Sequence, residues 1–599
     1  MAPAVPLYAL RRRHHSMTVH CRAGQALLCT FLMLLVLLPV LASAQSRAIL
    51  SPRDRFQPVL AESGMVASQE AVATRVGVEI LRRGGNAVDA AVAVGFALAV
   101  TLPRAGNLGG GGFMLIHQAA TGETVALDYR EMAPAAAHRD MYLTGTGEVD
   151  KQKVRYSHHG IGVPGTVAGL AAAQERFGSL PLATVIAPAL ALARDGIIVT
   201  PDLAGSLKSR EERLKRWPAT AAVFFKADGS GYEVGERLRQ PDLAWSLAQI
   251  AAQGPAAFYG GAIGQRLAAD MARHDGPLTL DDLLAYEVRW REPLRGRYRG
   301  VEIAAMPPPS SGGVHLVQML NILEGYDLKA LGHNGADSLH LMVEAMRLAY
   351  ADRARHLGDP DFTAVPVKGL VSKAYAARLR AGIDPARTRP SAAVNAGDPA
   401  PYESAETTHY SVVDGDGNVV SNTYTLNFSY GTGIVAAGTG ILLNNEMDDF
   451  SAKPGVANAY GLIGGEANAV APRKRPLSSM TPTIVFRDGA PWLVTGSPGG
   501  SRIITTVLQM VVNVVDHGLN VAAATAAPRI HHQWLPDRLF VERGLSPDTL
   551  RLLRARGHQI DERFAMGSTQ SIMRIDADGR TVLLGASDPR RRGSLTAGF

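Results

Sequence analysis

The sequence has few cysteines, few aromatic residues and no long basic run. Its only two cysteines, Cys21 and Cys29, lie before residue 44 of a 599-residue chain. A chain that has lost this segment contains no thiol, which excludes thiol catalysis and cysteine metal sites. Aromatic residues make up 6% and apolar residues 46%, as in ordinary globular proteins. After residue 44 no basic run exceeds three residues, so no nucleic-acid partner is predicted.

The usual signatures of hydrolases, metalloenzymes and nucleotide-binding proteins are also missing. There is no GxSxG and no HExxH, and Gly106–Gly112 matches neither common phosphate-binding glycine pattern. We therefore expect this glycine run to allow close backbone packing. The pairs His158-His159 and His531-His532 are adjacent in sequence and cannot share one helix face. We expect no metal and no cofactor.

Residues 1–44 have the features of an export signal. Arginines precede an apolar run from Ala26 to Leu41, and Ala42-Ser43-Ala44 is a small-residue cleavage motif before Gln45. An uncleaved membrane anchor is the alternative, although the run is short for a span of about 20 residues. Translation from Met17 would shorten the charged region. Removal of residues 1–44 takes away four arginines and leaves +3 of the formal +7. The expected location is periplasmic or secreted.

The first half of the chain contains helix and strand patterns. Apolar periodicity predicts a helix over 69–83, ended by Gly84-Gly85, and a buried helix over 87–100. Two strands, 113–116 and 124–129, follow around a turn at Thr121-Gly122, with Arg130 at the end of the second. Residues 160–380 are expected to be largely helical, interrupted by a rigid loop at 307–313.

The second half begins after a change in composition. Residues 387–406 are rich in Pro, Ala, Ser, Gly and Asp, as in an exposed linker. A hairpin is predicted around Gly415–Asn418, and a second around Asp488-Gly489. An apolar helix is expected from about 502 to 515, with Ser501 as its N-cap.

Thr407 stands where this linker meets the first strand. Cleavage of the Glu406–Thr407 bond would free an α-amino group whose pKa of about 7.7–8.0 suits a general base. One residue would then supply both nucleophile and base. The alternative is that Thr407 and Thr408 are ordinary strand residues.

Gly499 and Gly500 precede the predicted apolar helix. Backbone N–H groups at a helix N-terminus favour an oxyanion. A simple turn is the alternative.

Several motifs resemble the gamma-glutamyltransferase family of N-terminal nucleophile hydrolases. The resemblance extends from about residue 49 to Phe599 and rests on motifs in a fixed order. These are GNAVDAA from Gly85, the glycine run, REMAP from Arg130, PPPSSGG from Pro307, TTHYSVVD from Thr407, TYTLN from Thr423, GTGIV from Gly431, NNEMDDF from Asn444, PLSSM from Pro476 and TGSPGGS from Thr495.

The resemblance implies an α+β fold with a four-layer αββα sandwich. It also implies a precursor that cuts itself between Glu406 and Thr407. Residues 45–406 would form a large subunit and residues 407–599 a small subunit, which together make a heterodimer.

The resemblance further assigns roles to individual residues. Thr407 would be the nucleophile, Thr425 its hydrogen-bonding partner, and Gly499 and Gly500 the oxyanion hole. Tyr460 would lie in a lid over residues 454–465. The substrate α-carboxylate would be held by Arg130, Ser478 and Ser479, and the α-amino group by Asn427, Glu446 and Asp449. Many bacterial relatives have Gln in place of Glu446, whose extra charge would alter pH dependence.

Three functions compete at this point. The first is transfer of the γ-glutamyl group of glutathione and related amides to amino acids, peptides or water. The second is a glutaryl or cephalosporin acylase of the same family, and Glu446 and Asp449 favour the first over it. The third is a non-catalytic periplasmic binding protein, against which Thr407 and Thr425 argue.

Overall fold

A computed structural model describes residues 56–398, 408–577 and 579–599. The predicted signal at 1–44 and the predicted cleavage-site residues Glu406 and Thr407 lie outside these residues. Within them, no helix combines the length and the apolar character needed to cross a membrane.

Two seven-stranded antiparallel sheets form the centre of the described structure. The strands of the first sheet are, in spatial order, Val59–Ala61, Arg580–Ser587, Gln570–Ala577, Ala490–Thr495, Thr483–Arg487, Val301–Ala305 and Leu294–Tyr298. Those of the second are Leu595–Gly598, Gly64–Ser68, Thr408–Asp414, Val419–Thr425, Gly111–His117, Thr124–Tyr129 and Arg289–Arg291.

Helices cover the outer faces of the sheets. Before residue 300 they are Ala71–Arg82, Ala87–Thr101, Lys151–Tyr156, Thr166–Phe177, Leu182–Asp195, Pro201–Lys208, Glu211–Lys215, Pro218–Phe224, Pro241–Gln253, Ala256–Tyr259, Ala262–Arg273 and Leu280–Leu284. After it they are Gly312–Leu323, Leu328–Leu331, Ala336–His356, Val367–Leu370, Lys373–Ala381, Arg502–Val515, Val521–Ala526 and Pro547–Ala555.

Three apolar layers hold these elements together. Side chains such as Phe113 and Ile484 fill the space between the two sheets. A second layer packs the helices before residue 290 on the outer face of one sheet. A third packs those after residue 310 on the other. The predicted α+β class and αββα sandwich are therefore confirmed.

The first two predicted helices form close to their expected bounds. Glu70 accepts hydrogen bonds from two N–H groups at the start of Ala71–Arg82, and Gly84 after its end has φ +87°. Asn86 caps the next helix, Ala87–Thr101, in which every residue is buried. A helix without a polar face belongs in a core when it is too short to span a membrane.

The glycine run packs backbone against backbone, as predicted. A Cβ on Gly110 would lie 1.8 Å from the carbonyl oxygen of Thr425, and one on Gly109 would lie 2.2 Å from that of Leu442. No side chain fits at these distances. The run therefore brings the strand Gly111–His117 close to the strand that ends at Thr425.

Three details differ from the sequence-based expectations. The segment 160–380 contains three strands between 289 and 305 that were not predicted. The loop predicted at 307–313 ends earlier, because Gly312 already begins a helix. Ser501 precedes Arg502–Val515 but makes no capping bond; its hydroxyl donates to Gln533 Oε1 over 2.6 Å.

Candidate active site

The strand that begins at Thr408 and the strand that ends at Thr425 are neighbours near the centre of the second sheet. The strands Thr408–Asp414 and Val419–Thr425 are antiparallel partners, and Thr408 lies opposite Tyr424. Thr425 ends its strand, and its Oγ1 accepts a hydrogen bond of 2.8 Å from the Asn427 N–H. Thr407 lies outside the described residues, one bond before Thr408.

A cavity of about 420 Å³ opens at this end of the sheet. Five residues predicted from the sequence line it: Thr425, Asn427, Tyr460, Gly499 and Gly500. They come from three separated parts of the chain. The fold therefore brings together the predicted nucleophile partner, oxyanion donors and lid tyrosine.

Gly499 and Gly500 form the turn that leads into Arg502–Val515. Both have positive φ, +142° and +66°, which favours glycine. Their carbonyl groups accept from the first helical N–H groups, whereas their own N–H groups have no acceptor among the described residues. Free N–H groups at a helix start are suited to an oxyanion.

Arg130 lies in a buried cluster of carboxylates beside this region. Its Nη1 donates to Glu446 Oε1 over 2.5 Å and its Nη2 to Asp449 Oδ2 over 2.7 Å. Glu131 lies 3.6 Å from Nη1, and Nε donates to the Pro476 carbonyl. Arg130 is more than 300 residues away from Glu446 and Asp449 in sequence. The fold therefore brings the residue predicted to bind the α-carboxylate next to two residues predicted to bind the α-amino group.

Burial controls the protonation of this cluster. It raises the pKa of Glu131 to about 7 and raises the pKa of Glu446 and of Asp449, against the attraction of Arg130. Burial alone would lower the pKa of Arg130, but the attraction of the three carboxylates raises it. The cluster therefore contains one permanent cation and more than one acidic group, and it favours a second cation.

Five buried acceptor oxygens near Arg130 have no hydrogen-bond partner among the described residues. They are both carboxylate oxygens of Glu131, Glu446 Oε2, Asp449 Oδ1 and Asn427 Oδ1. Asn427 reaches the cluster through its Nδ2, which donates to the carbonyl of Asn445, the neighbour of Glu446. An ammonium group has three N–H donors, and these oxygens offer it acceptors and negative charge.

Ser478 and Ser479 follow Pro476, the residue that accepts from Arg130 Nε. Both are fully buried. The Ser479 hydroxyl has no hydrogen-bond partner among the described residues. Ser478 is fixed by its backbone, since its carbonyl accepts from the Ser311 N–H. The structure thus brings both serines to the segment next to Arg130, as the sequence predicted.

Tyr460 lies over the cavity, in the predicted lid. Its hydroxyl donates to the Asn427 carbonyl over 2.9 Å, and its own carbonyl accepts from Gln533 Nε2. The backbone of 454–465 closes on itself through a bond from the Gly455 N–H to the Gly464 carbonyl. Tyr460 therefore joins the predicted lid to Asn427, which lines the cavity, and to Gln533, which does not.

Sequence reasoning missed the role of Glu131 and of several cavity arginines. Glu131 follows Arg130 and is fully buried. An acidic residue directly beside an expected ligand-binding arginine was the available signal. Arginines that line the cavity are distant in sequence from the recognised motifs, and no local pattern indicates them; they are Arg104, Arg210, Arg502 and Arg591.

Two other groups in the described residues could hold a metal ion. One joins His158 to Asp270 and His274, and the other joins His340, Glu344 and His558. Neither shares a residue with the cavity described above. His158 is therefore grouped with Asp270 and His274, and not with its sequence neighbour His159. Direct hydrogen bonds occupy several of these atoms, including one of 2.8 Å between His340 Nδ1 and His558 Nε2.

Comparisons with known proteins agree with this geometry. The sequence model of the Gamma-glutamyltranspeptidase family matches residues 73–598. The glutathione hydrolase proenzyme of Escherichia coli (strain K12) is 58% identical over 547 residues, covering 91% of this chain and 93% of that protein. A glutathione hydrolase proenzyme of Pseudomonas sp. (strain A14) is 45% identical, covering 94% and 98%.

A solved structure has the same architecture. The cephalosporin acylase from Bacillus halodurans superposes with a TM-score of 0.81 at 30% identity, covering 93% of this chain and 99% of that one. Together, the match of a family model over most of the chain and these identities decide the assignment. The chain belongs to the gamma-glutamyltranspeptidase family.

Proposed function

We propose that this protein is a gamma-glutamyltransferase and glutathione hydrolase. It transfers the γ-glutamyl group of glutathione and related amides to amino acids, peptides or water. The buried cluster of Arg130 with Glu446 and Asp449 is the observation that carries this proposal. One cation and several acidic groups in one pocket complement both charges of an α-amino acid. The similarity to glutathione hydrolase proenzymes supports the same function.

Substrate binding exchanges ionic partners in this cluster. The substrate α-carboxylate takes the two parallel N–H groups of Arg130, a geometry that guanidinium provides and ammonium does not. The substrate ammonium then replaces the Arg130 guanidinium as the cation beside Glu446 and Asp449. The Ser479 hydroxyl, buried without a partner among the described residues, donates to the carboxylate. The γ-carbonyl is left to face the cavity.

The reaction then proceeds through an ester on Thr407. The α-amino group of Thr407 takes the proton of its own hydroxyl, and the oxygen attacks the γ-carbonyl carbon. The N–H groups of Gly499 and Gly500 stabilise the oxyanion. The bond to the leaving amine breaks, and that amine receives the proton. Water or an acceptor amine then attacks the ester carbonyl, and the bond to the Thr407 oxygen breaks. Glutamate or a new γ-glutamyl amide leaves, and the proton lost by the attacking group passes to the Thr407 oxygen.

The position of Thr408 supports this role for Thr407. Thr408 pairs with Tyr424, the residue before Thr425. Thr408 directly follows Thr407 in sequence, and its strand begins beside the one that ends at Thr425. The alternative of two ordinary strand threonines does not account for the free N–H groups and the carboxylate cluster at the same end of the sheet.

A glutaryl or cephalosporin acylase is the alternative function, since a structural relative carries that name. Glutaryl groups lack the α-ammonium. Their binding would leave Glu446 and Asp449 without a cation once Arg130 turned to the substrate. The acceptor oxygens around this site therefore favour the transferase.

Maturation and location follow the same proposal. Attack of the Thr407 hydroxyl on the Glu406 carbonyl gives an ester, which water cleaves into a large subunit of 45–406 and a small subunit of 407–599. The proenzyme names of the relatives support a two-chain enzyme. We propose export through residues 1–44 to the periplasm or the medium, with an uncleaved signal as the only membrane attachment.

Intact mass and anilide hydrolysis test this proposal together. The purified protein should give two fragments, the second beginning at Thr407, and should release the chromophore from a γ-glutamyl anilide. Thr407→Ala should stay one chain and be inactive, whereas the neighbouring Thr408→Ala serves as the matched control. Cleavage of Thr407→Ala at the same bond would refute the assignment of the nucleophile.

A further inference from the structure

Gln533 is a buried residue that does not line the cavity but contacts two elements that border it. Its Oε1 accepts a hydrogen bond of 2.6 Å from the Ser501 hydroxyl, at the start of the helix Arg502–Val515. Its Nε2 donates to the Tyr460 carbonyl over 3.1 Å and to the Leu535 carbonyl over 3.3 Å. One amide side chain therefore bridges this helix and the predicted lid.

A second donor fixes the orientation of this amide. His531 Nε2 lies 2.9 Å from Gln533 Oε1, and His531 Nδ1 lies 2.9 Å from the Thr505 hydroxyl. Burial lowers the pKa of His531 to about 3, so the imidazole is neutral and carries one N–H. The Thr505 hydroxyl can donate to Nδ1, which leaves the imidazole N–H at Nε2 for Gln533. Since Ser501 and His531 both donate to the amide oxygen, the amide nitrogen is turned towards Tyr460.

The segment that carries Gln533 is bound to the helix that begins after Ser501. Gln509, within Arg502–Val515, donates from Nε2 to the Ile530 carbonyl over 2.8 Å. Its Oε1 accepts from the Ile530 N–H, also over 2.8 Å. Both backbone groups of Ile530 are thus held by one helical side chain. The Gln533 amide is therefore presented to the lid from the helix side.

Tyr460 connects the same lid to the substrate site. Its hydroxyl donates to the Asn427 carbonyl over 2.9 Å, and its ring meets the Phe428 ring edge-on at 5.6 Å. Asn427 Oδ1 is one of the acceptor oxygens available to the substrate ammonium. The predicted lid therefore touches the substrate site through the Tyr460 hydroxyl and the helix through the Tyr460 carbonyl.

We propose that Gln533 is a positioning residue that holds the predicted lid closed over the substrate site. It acts through Tyr460 and does not itself contact the substrate. This inference rests on the proposed function, because it assigns the lid to binding of the γ-glutamyl group. Without the amide donor a smaller fraction of molecules has the lid closed, and the apparent affinity falls by that fraction. Saturating substrate restores the closed state, so kcat is preserved.

Gln533→Met tests this role, because methionine has a similar length but no amide. KM for a γ-glutamyl anilide should rise about two- to tenfold, as expected for one hydrogen bond, while kcat stays within about twofold. Hydrogen exchange of the lid peptide 454–465, measured without substrate, should become faster by a similar factor. Thermal unfolding shows that the variant is folded.

Gln533→Glu isolates the bond to the lid. It keeps the shape of the side chain and an oxygen for the two donors on the helix side. Only its protonated form can donate to the Tyr460 carbonyl. The ratio of its KM to that of wild type should therefore rise with pH, and a purely structural role of Gln533 would give no such dependence.

Thr505→Val is the matched control. It removes a hydrogen bond to His531 in the same buried network but leaves the contact between Gln533 and Tyr460 in place. Its KM and its lid exchange should equal those of wild type even if its thermal stability falls.

The role of Gln533 is overturned if a folded Gln533→Met has the KM and the lid exchange of wild type. Equal effects in Gln533→Met and Thr505→Val would also overturn it, since both would then reflect a general loss of stability. If Gln533→Met does not fold, a KM ratio of Gln533→Glu that is independent of pH overturns the role. Absence of anilide hydrolysis in wild type would refute the proposed function, whereas lid exchange would still decide whether Gln533 holds the lid.

Discussion

Arg130 Nη2 donates to Asp449 Oδ2 over 2.7 Å, and both side chains are almost completely buried. The residues are separated by 319 positions in sequence. Charged groups are buried only when they are paired, because desolvation is costly. In the proposed reaction this pair must open for each substrate. The energy of the site therefore depends on whether the substrate replaces both of the contacts that it breaks.

Arg130→Lys should damage substrate use. Lysine keeps the charge but cannot make two parallel hydrogen bonds to a carboxylate. Loss of one charged contact of about 2–3 kcal/mol corresponds to a fall of roughly 30–150-fold in kcat/KM. Steady-state kinetics on a γ-glutamyl anilide measure this. The structure adds a cost in stability, since Glu446 and Asp449 would share one ammonium.

The control for this variant is Arg155→Lys. Arg155 pairs with Asp448 over 2.8 Å, next to the cluster but without contacting Arg130, and should retain most of kcat/KM. An Arg130→Lys enzyme with the wild-type kcat/KM would remove Arg130 from the substrate site.

Gly110→Ala should destabilise the fold and the cavity together. Its Cβ would lie 1.8 Å from the carbonyl oxygen of Thr425, so the backbone that carries Thr425 must move. Overpacking of this kind costs about 1–3 kcal/mol or more. Denaturant unfolding gives the change in free energy. Gly205→Ala, at an exposed position of the helix Pro201–Lys208 with no atom near the added Cβ, should instead stabilise by about 0.5–1 kcal/mol.

Acid should destabilise the protein through buried histidines, and His558 offers a test. Burial, together with nearby His340 and Arg347, lowers the pKa of His558 to about 3. The unfolded value is about 6.5. Between these values the unfolded state binds the extra proton, so the stability provided by His558 is fully present above pH 6.5 and is lost as pH falls.

His558→Gln should therefore lose less stability than wild type between about pH 6.5 and 4. The glutamine amide can still donate to His340 Nδ1, as His558 Nε2 is placed to do at 2.8 Å. The gap in unfolding free energy should change by at most about 1.4 kcal/mol per pH unit. Denaturant unfolding at several pH values measures it, with the exposed His138→Gln as control. Parallel curves for His558→Gln and wild type would contradict this role.

Local rules were sufficient for many of the elements. Gly84 ends a helix with positive φ, and Asp488 and Gly489 make a hairpin turn with φ +52° and +81°. These positions depend on neighbours in sequence, so the pattern indicates them. Ser501 occupies the predicted N-cap position, but its hydroxyl makes no capping bond and donates to the distant Gln533, which no local pattern shows.

Tertiary partners also explain the strands and site residues that were missed. Arg289–Arg291 lies in the segment expected to be largely helical, yet it forms a strand at the sheet edge, where Arg291 Nε pairs with the buried Asp128 over 2.8 Å. The cavity arginines likewise converge only after folding. The predicted site residues were obtained from the resemblance, whereas the ion pairs between Arg130, Glu446 and Asp449 required the three-dimensional structure.

The last prediction separates the transferase from the acylase by one ammonium group. γ-Glutamyl and glutaryl anilides have the same reactive carbonyl and the same distal carboxylate. Either carboxylate must draw Arg130 away from Glu446 and Asp449, but only the γ-glutamyl group returns a cation to them. Each uncompensated charged contact should cost about 1.5–3 kcal/mol. One contact therefore predicts a preference of roughly 10–150-fold in kcat/KM for the γ-glutamyl anilide.

Variants at two adjacent aspartates identify the source of this preference. Asp449→Asn removes a carboxylate that contacts Arg130, so the penalty for a missing ammonium falls and the preference should shrink. Asp448→Asn removes a carboxylate that pairs with Arg155 instead, so the preference should remain. Equal rates on both anilides in wild type would favour the acylase over the transferase. If Asp449→Asn keeps the wild-type preference, the charge at Asp449 has no part in the discrimination. Other groups would then recognise the substrate ammonium.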